Sequence, residues 1–122
     1  MNSIDPIALA KHYVILSNAH DLARIKPLFD ADATYHSEFF GEYRGVEAIH
    51  VMMLEFFTRF PDAHWQVAEY RKVDHDGTEF TFAMTGTHAS TGEHVERHGM
   101  ERIFFTSQGR IRHIAVCKPE RS

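Results

Sequence analysis

Apolar residues recur along this chain with two different periods. Leu9, Tyr13 and Leu16 fall at i, i+4 and i+7, with Ile7, Ala10 and Val14 beside them, the stripe of an amphipathic helix. Asp5-Pro6 opens it, with aspartate as the cap and proline where no backbone N–H is needed. Asn18-Ala19-His20-Asp21 breaks the stripe. Asp21 then caps a second helical pattern carrying Leu22, Ile25, Leu28 and Phe29, kinked or shortened by Pro27. Thr34, Tyr35, Phe39 and Phe40 mark an extended segment over 33–40. Gly41-Glu42 predicts a turn into Tyr43-Arg44, and Gly45 opens a third helix. Val46, Ile49, Met53, Phe56, Phe57 and Phe60 give that helix one wide apolar face, ended by Pro61.

Beyond Pro61 the period changes to two. A strand runs over 65–73, Asp74-His75-Asp76-Gly77 is a hairpin turn, and a second strand covers 78–88. On that strand Phe80, Phe82, Met84, Gly86 and His88 share one face. A polar link over 89–93 leads to a strand over 94–106, in which Glu101 alternates inward with Ile103 and Phe105. Ser107-Gln108-Gly109 turns the chain into a last strand over 110–117. Helices, a brief strand pair, a helix and then antiparallel hairpins predict one α+β domain over 1–122. Its helices would line one face of a curved sheet and leave a pocket at the mouth.

Composition narrows this further. A chain of 122 residues can bury its own core, and ten phenylalanines make that core aromatic. The single cysteine, Cys117, rules out an internal disulfide and suits a reducing cytosol. The N-terminus carries Asp5, Pro6 and Lys11 rather than a signal-peptide run, and no stretch approaches the roughly 20 apolar residues of a membrane helix. The expectation is a soluble, cytoplasmic protein that does not engage a membrane. Net charge is −4 with scattered Lys and Arg, so no nucleic-acid stripe is present. Ten histidines would carry the charge to +6 on full protonation, which makes solubility sensitive to pH.

Among candidate chemical groups Glu101 is the sharpest. A carboxylate at an inward strand position must be paired, protonated or functional, because burying it unpaired is costly. Arg97 shares its strand face and Arg112 is a potential cross-strand neighbour, so a structural Glu–Arg pair is one expectation. The facing apolar residues Phe56, Phe60, Phe82, Met84, Ile103 and Phe105 would line the pocket. Trp65 would pack in the core or at the pocket rim, or serve as a stacking platform, and His88 would either reach the pocket or lie in water at the hairpin end. His94 and His98 superficially suggest a metal motif, but on a strand they lie roughly 13 Å apart, too far for one ion. No phosphate loop, nucleophile elbow or dinucleotide fingerprint is present.

The segments YVILSNAHDLARIKPLFDADATYHS, YRGVEAI, FFTRFPD and RIFFTSQGRIRHI, in that order, resemble the nuclear transport factor two-like superfamily. Within it they resemble the ketosteroid-isomerase-like and SnoaL-like (polyketide cyclase) branch. The resemblance implies a cone-shaped α+β barrel, a mostly antiparallel sheet wrapped over three helices, with an apolar pocket at one end. It also implies a homodimer through the outer sheet face, where Met100 and Phe104 would otherwise expose apolar area. No cofactor and no metal are implied.

In ketosteroid isomerase an Asp is the base, and a Tyr with a protonated carboxylic acid forms the oxyanion hole. Carried over without gaps, the Tyr falls on Tyr13, the acid on Glu101 and the base on Ser37. Serine cannot accept a proton at neutral pH. His36, or less readily Glu38, would move the proton after a bulge or a one-residue slip; without one, strand alternation leaves both at solvent or rim positions. Tyr13 also reads as a core tyrosine. The resulting expectation is an isomerase, cyclase or lyase acting on a small apolar carbonyl or polycyclic compound by proton transfer or water addition. The alternative is a non-catalytic ligand-binding or dimerisation module of the same fold. An epoxide-hydrolase-like site would need an Asp-Arg-Asp set, of which Glu101 and Arg97 supply only part.

Overall fold

A computed structural model describes residues 4–119. Helix α1 runs Pro6–Asn18, with the Asp5 carboxylate accepting from the Ala8 N–H at 3.2 Å. Helix α2 is a single turn, Leu22–Ile25, continued by a 3₁₀ turn over Lys26–Leu28. Strands β1 (Phe29–Ser37) and β2 (Gly41–Arg44) follow, then helix α3 (Val46–Arg59). Strands β3 (His64–Val73), β4 (Gly77–Thr87), β5 (His94–Phe105) and β6 (Ile111–Cys117) complete the chain.

All six strands form one curved sheet in the order β2-β1-β6-β5-β4-β3. Every neighbouring pair is antiparallel except β1 with β6. Register shifts with extra residues in β1, β3 and β6 interrupt the ladders, and such irregularities bend a strand and increase its twist. The sheet is not closed: β2 and β3 are its edges, and the helices pack against its inner face. The expected barrel is therefore an open cone.

Two boundaries differ from the sequence expectation for identifiable reasons. Phe29 begins β1 instead of ending α2, because Pro27 cannot extend the hydrogen-bonded helix past a short 3₁₀ turn. The β1–β2 turn is Glu38-Phe39-Phe40 rather than Gly41-Glu42. Ser37 Oγ accepts from the Phe39 N–H at 3.0 Å and the Phe40 N–H at 3.2 Å, turning the chain early. Gly41 and Glu42 then pair with Ser37 and His36 across the hairpin.

The core is the space between the helices and the inner face of the sheet. Ala10, Tyr13, Val14 and Leu16 bury from α1, and Ile49, Met52, Met53 and Phe56 from α3. Phe80, Phe82 and Met84 answer from β4, and Ile103 and Phe105 from β5. Phe56 is the aromatic hub, with ring centroids 5.6 Å from Phe40, 5.4 Å from Phe60 and 5.7 Å from Trp65. Asn18 locks the start of β3 to the end of α1. Its amide accepts from the Trp65 N–H at 2.7 Å and donates to the Trp65 carbonyl at 2.9 Å.

Candidate active site

Between α1, α3 and the inner sheet face lies an apolar cavity of about 70 Å³. Its floor brings together Tyr13 from α1, Tyr35 from β1 and Glu101 from β5, and its walls include Phe56, Trp65 and Met84. Helical spacing places Tyr13 on the face of α1 turned to the sheet. Strand alternation turns Tyr35 inward with Ala33 and Ser37, and Glu101 inward with Ile103 and Phe105.

Glu101 is 6% exposed, and its Oε2 has no hydrogen-bond partner among the described residues. Burial alone raises its carboxyl pKa to about 8, so the group is mostly neutral at pH 7. Burial also pushes the Tyr13 and Tyr35 phenols well above their usual range, and the nearby Glu101 carboxyl adds to both shifts. Both phenols therefore keep their protons throughout the working pH range. Neither phenol is hydrogen-bonded to Glu101, so three O–H groups face one small space. That arrangement can donate hydrogen bonds to a ligand oxygen and stabilise charge developing on it.

The expected Glu101–arginine pair does not form. Arg97 lies on the same face of β5, but its guanidinium stacks on phenylalanine rings and its Nη1 is buried without a partner. Arg112 pairs instead with Asp76 at 2.7 Å.

Several expected site residues lie elsewhere. His36 is exposed on the outer side of β1, 3.0 Å from Glu42, because its strand parity is opposite to that of Tyr35. Glu38 is also exposed, and its carboxylate accepts the Lys118 N–H at 2.6 Å. Ser37 is buried, but its hydroxyl is committed to the β1–β2 turn and it does not line the cavity. Phe82 lines the cavity beside Phe56, Trp65 and Met84. Phe60, Ile103 and Phe105 are packed behind this lining instead of facing the space. His88 sits at the end of β4, edge-on to Phe60 at 5.4 Å, outside the cavity. His113 on β6 points outward, on the face of Phe104. It hydrogen-bonds Thr34 at 2.7 Å and stacks on Phe104.

Tyr35, Phe39, Phe40 and Arg97 line the cavity without having been singled out as its lining. For Tyr35 the signal was available: strand parity relative to Ala33 selects it over His36 as the inward residue.

With this geometry in place, comparison with known proteins adds the lineage. A profile of the SnoaL-like domain matches residues 10–114, nearly the whole chain. The chain belongs to the SnoaL-like family. Among solved structures this SnoaL-like chain is similar to AclR of Streptomyces galilaeus, a proposed hydroxylase. The identity is 23%, with 95% of this chain and 90% of that one covered at a TM-score of 0.79. It is also similar to the epoxide hydrolase/cyclase-like enzyme SalBIII, which has a role in pyran ring formation in the polyether salinomycin. Here the identity is 16%, the coverage 92% and 88%, and the TM-score 0.83. A SnoaL-like protein of Burkholderia thailandensis is 17% identical over 94% of this chain and 95% of its own, at a TM-score of 0.77. At these identities the likeness shows the fold. A search of curated proteins gives no match.

Proposed function

We propose that this SnoaL-like protein is a cofactor-independent enzyme that transfers a proton to and from a small carbonyl compound. Tyr13 and Tyr35 donate hydrogen bonds to the carbonyl oxygen, and Glu101 moves the proton. The observation that carries this reading is a neutral, partnerless carboxyl buried at the floor of the cavity beside two phenols. At neutral pH the protonated Glu101 gives its proton to the carbonyl oxygen, and its carboxylate then takes a proton from the neighbouring carbon. The product is the enol, and the carboxyl is protonated again. Glu101 thus fills the place that the sequence analysis gave to His36, since no histidine lines the cavity. The enclosed space favours a compact carbonyl group at the floor over a polycyclic one, since pockets that engulf drug-sized ligands measure about 300–1,000 Å³.

Proton exchange at the carbon beside a carbonyl, followed by proton NMR in D2O over a panel of small ketones, tests this reading. Wild-type protein should exchange at least one ketone faster than buffer. Glu101→Gln should lose most of that rate, on the order of a hundredfold or more, and Tyr13→Phe or Tyr35→Phe should lose a smaller part. A panel with no exchange above buffer, or full activity in Glu101→Gln, overturns it.

One observation favours a second reading, a non-catalytic ligand-binding module of the same fold. The position that would hold the isomerase base is Ser37, and its hydroxyl serves the turn. Saturable ligand binding with no exchange would select this alternative. Dimerisation belongs to either reading. On the outer sheet face a groove of about 600 Å³ is bordered by Ala68, Ala83 and Met100, and Phe104 lies half-buried on the same face. A second copy of this chain would cover them.

A further inference from the structure

The mouth of the cavity is built differently from its floor. The Arg97 guanidinium carbon lies 5.7 Å from the ring centroid of Phe39, 5.3 Å from Phe40 and 5.4 Å from Phe60. Two more cations approach the same rings: Arg59 is 5.8 Å from Phe40, and Lys118 is 5.8 Å from Phe39. Elsewhere on the sheet arginines meet carboxylates, as Arg71 and Arg102 do with Glu79 and Arg112 with Asp76. Among the described residues, none of Arg59, Arg97 and Lys118 forms an ion pair. The nearby carboxylate of Glu38 accepts the Lys118 backbone N–H instead.

Arg97 makes the clearest demand. Its Nη1 is buried with no acceptor, although a guanidinium stays charged in proteins and presents several donors. A buried donor without an acceptor is costly, and more so when it carries charge. Glu101 does not meet the demand. It lies four residues along the same strand face, roughly 13 Å away by strand rise. Between the two, the Phe82 ring crosses the backbone at Gly99, so closely that a Cβ there would lie 2.7 Å from Phe82 Cζ. The site therefore has a cationic, aromatic mouth and a neutral, proton-donating floor, with an aromatic ring between them.

We propose that the ligand of this cavity is an organic acid whose carboxylate is received at the mouth by Arg97, flanked by Arg59 and Lys118. Its apolar chain and any reacting carbonyl extend inward past Phe82 to Tyr13 and Glu101. This names a substrate class for the site and rests on the reading of the floor as the reacting end. The enclosed space of about 70 Å³ takes the inner part of such a molecule, and the acid group stays at the mouth. A planar guanidinium suits a carboxylate because it can donate two parallel hydrogen bonds.

The single tryptophan, Trp65, lines the cavity and supplies the readout. Its fluorescence would be followed while octanoate or methyl octanoate is added to the whole protein, in wild type, Arg97→Gln, Arg97→Lys and Glu101→Gln. Wild type should bind the acid about tenfold or more tightly than the ester, as expected for a charge-assisted contact. Arg97→Gln should abolish that preference by weakening the acid alone, while unchanged ester binding shows that its cavity is intact. Arg97→Lys should restore part of the preference, and added salt should weaken only the acid. Glu101→Gln should keep the preference.

Equal binding of acid and ester by wild type overturns the proposal. So does an Arg97→Gln variant that weakens both alike, or the absence of saturable binding by either probe. The two readings fail separately. Acid preference without proton exchange leaves the ligand class standing and removes the reaction, whereas exchange of neutral ketones without acid preference does the reverse.

Discussion

Two carboxylates of the sheet are buried, and they meet burial in opposite ways. Glu79, on the outer face, lies between Arg102 and Arg71, whose hydrogen bonds hold its carboxyl below the usual range. Glu101, on the inner face, has no such partner and responds by keeping its proton. The consequence for stability has a definite sign. The folded-state value, about 8, lies above the ordinary value of 4.5, so the folded protein holds this proton more tightly than the unfolded chain. The associated stability is complete below about pH 4.5 and is lost as pH rises through about 8. The slope contributed by one such group is about 1.4 kcal/mol per pH unit across that window. Urea unfolding at several pH values should show this loss in wild type and a flatter profile in Glu101→Gln. Parallel profiles would mean that the carboxyl ionises at little cost in the folded protein.

At the scale of elements, the β1–β2 turn positions the mouth. Ser37 turns the chain three residues before Gly41-Glu42 would have done so, which brings Phe39 and Phe40 over the cavity and under Arg97. Ser37→Ala leaves the Phe39 and Phe40 N–H groups without their acceptor. It should cost about 1–2 kcal/mol in urea unfolding, and less than about 0.5 kcal/mol would show that the hydroxyl is not what holds the turn. This was the least legible part of the sequence. A glycine is a conspicuous turn signal, whereas a serine hydroxyl that caps a turn looks like any polar strand residue. The same uncertainty left the facing of β1 open, so His36 was expected to reach the site only through a bulge or a one-residue slip, and Tyr35, which shares the inward parity of Ser37, was not named. Other elements were plain: the wide stripe of α3 and the alternation of β4 and β5 each fix their inner faces without help. That is why Glu101, Phe82 and Met84 could be placed from sequence. Phe60, Ile103 and Phe105 were expected to line the pocket and are buried behind its lining instead. Whether a buried side chain lines a cavity or packs behind its wall depends on three-dimensional distances that periodicity does not encode.

For the molecule as a whole, helices over an open six-stranded sheet follow from the order of the elements. That order was legible because each period change is marked by a turn residue or a proline. No helix among the described residues is long and apolar enough to cross a membrane. Among the described residues, the outer sheet face is the part left without a covering element. With Met100 and Phe104 half-buried beside the outer groove, light scattering after size exclusion at micromolar concentration should give twice the chain mass of 14.1 kDa. A mass equal to one chain would count against the dimer.

The central claim is that the cavity floor holds a carboxylic acid rather than a carboxylate. The most direct measurement is an NMR titration of carboxyl-labelled glutamate, with the Glu101 signal assigned by its loss in Glu101→Gln. A midpoint near 8 is the result this account predicts. A midpoint at or below the ordinary value of 4.5 would mean that Glu101 is ionised and stabilised in place, which contradicts the proposed proton transfer.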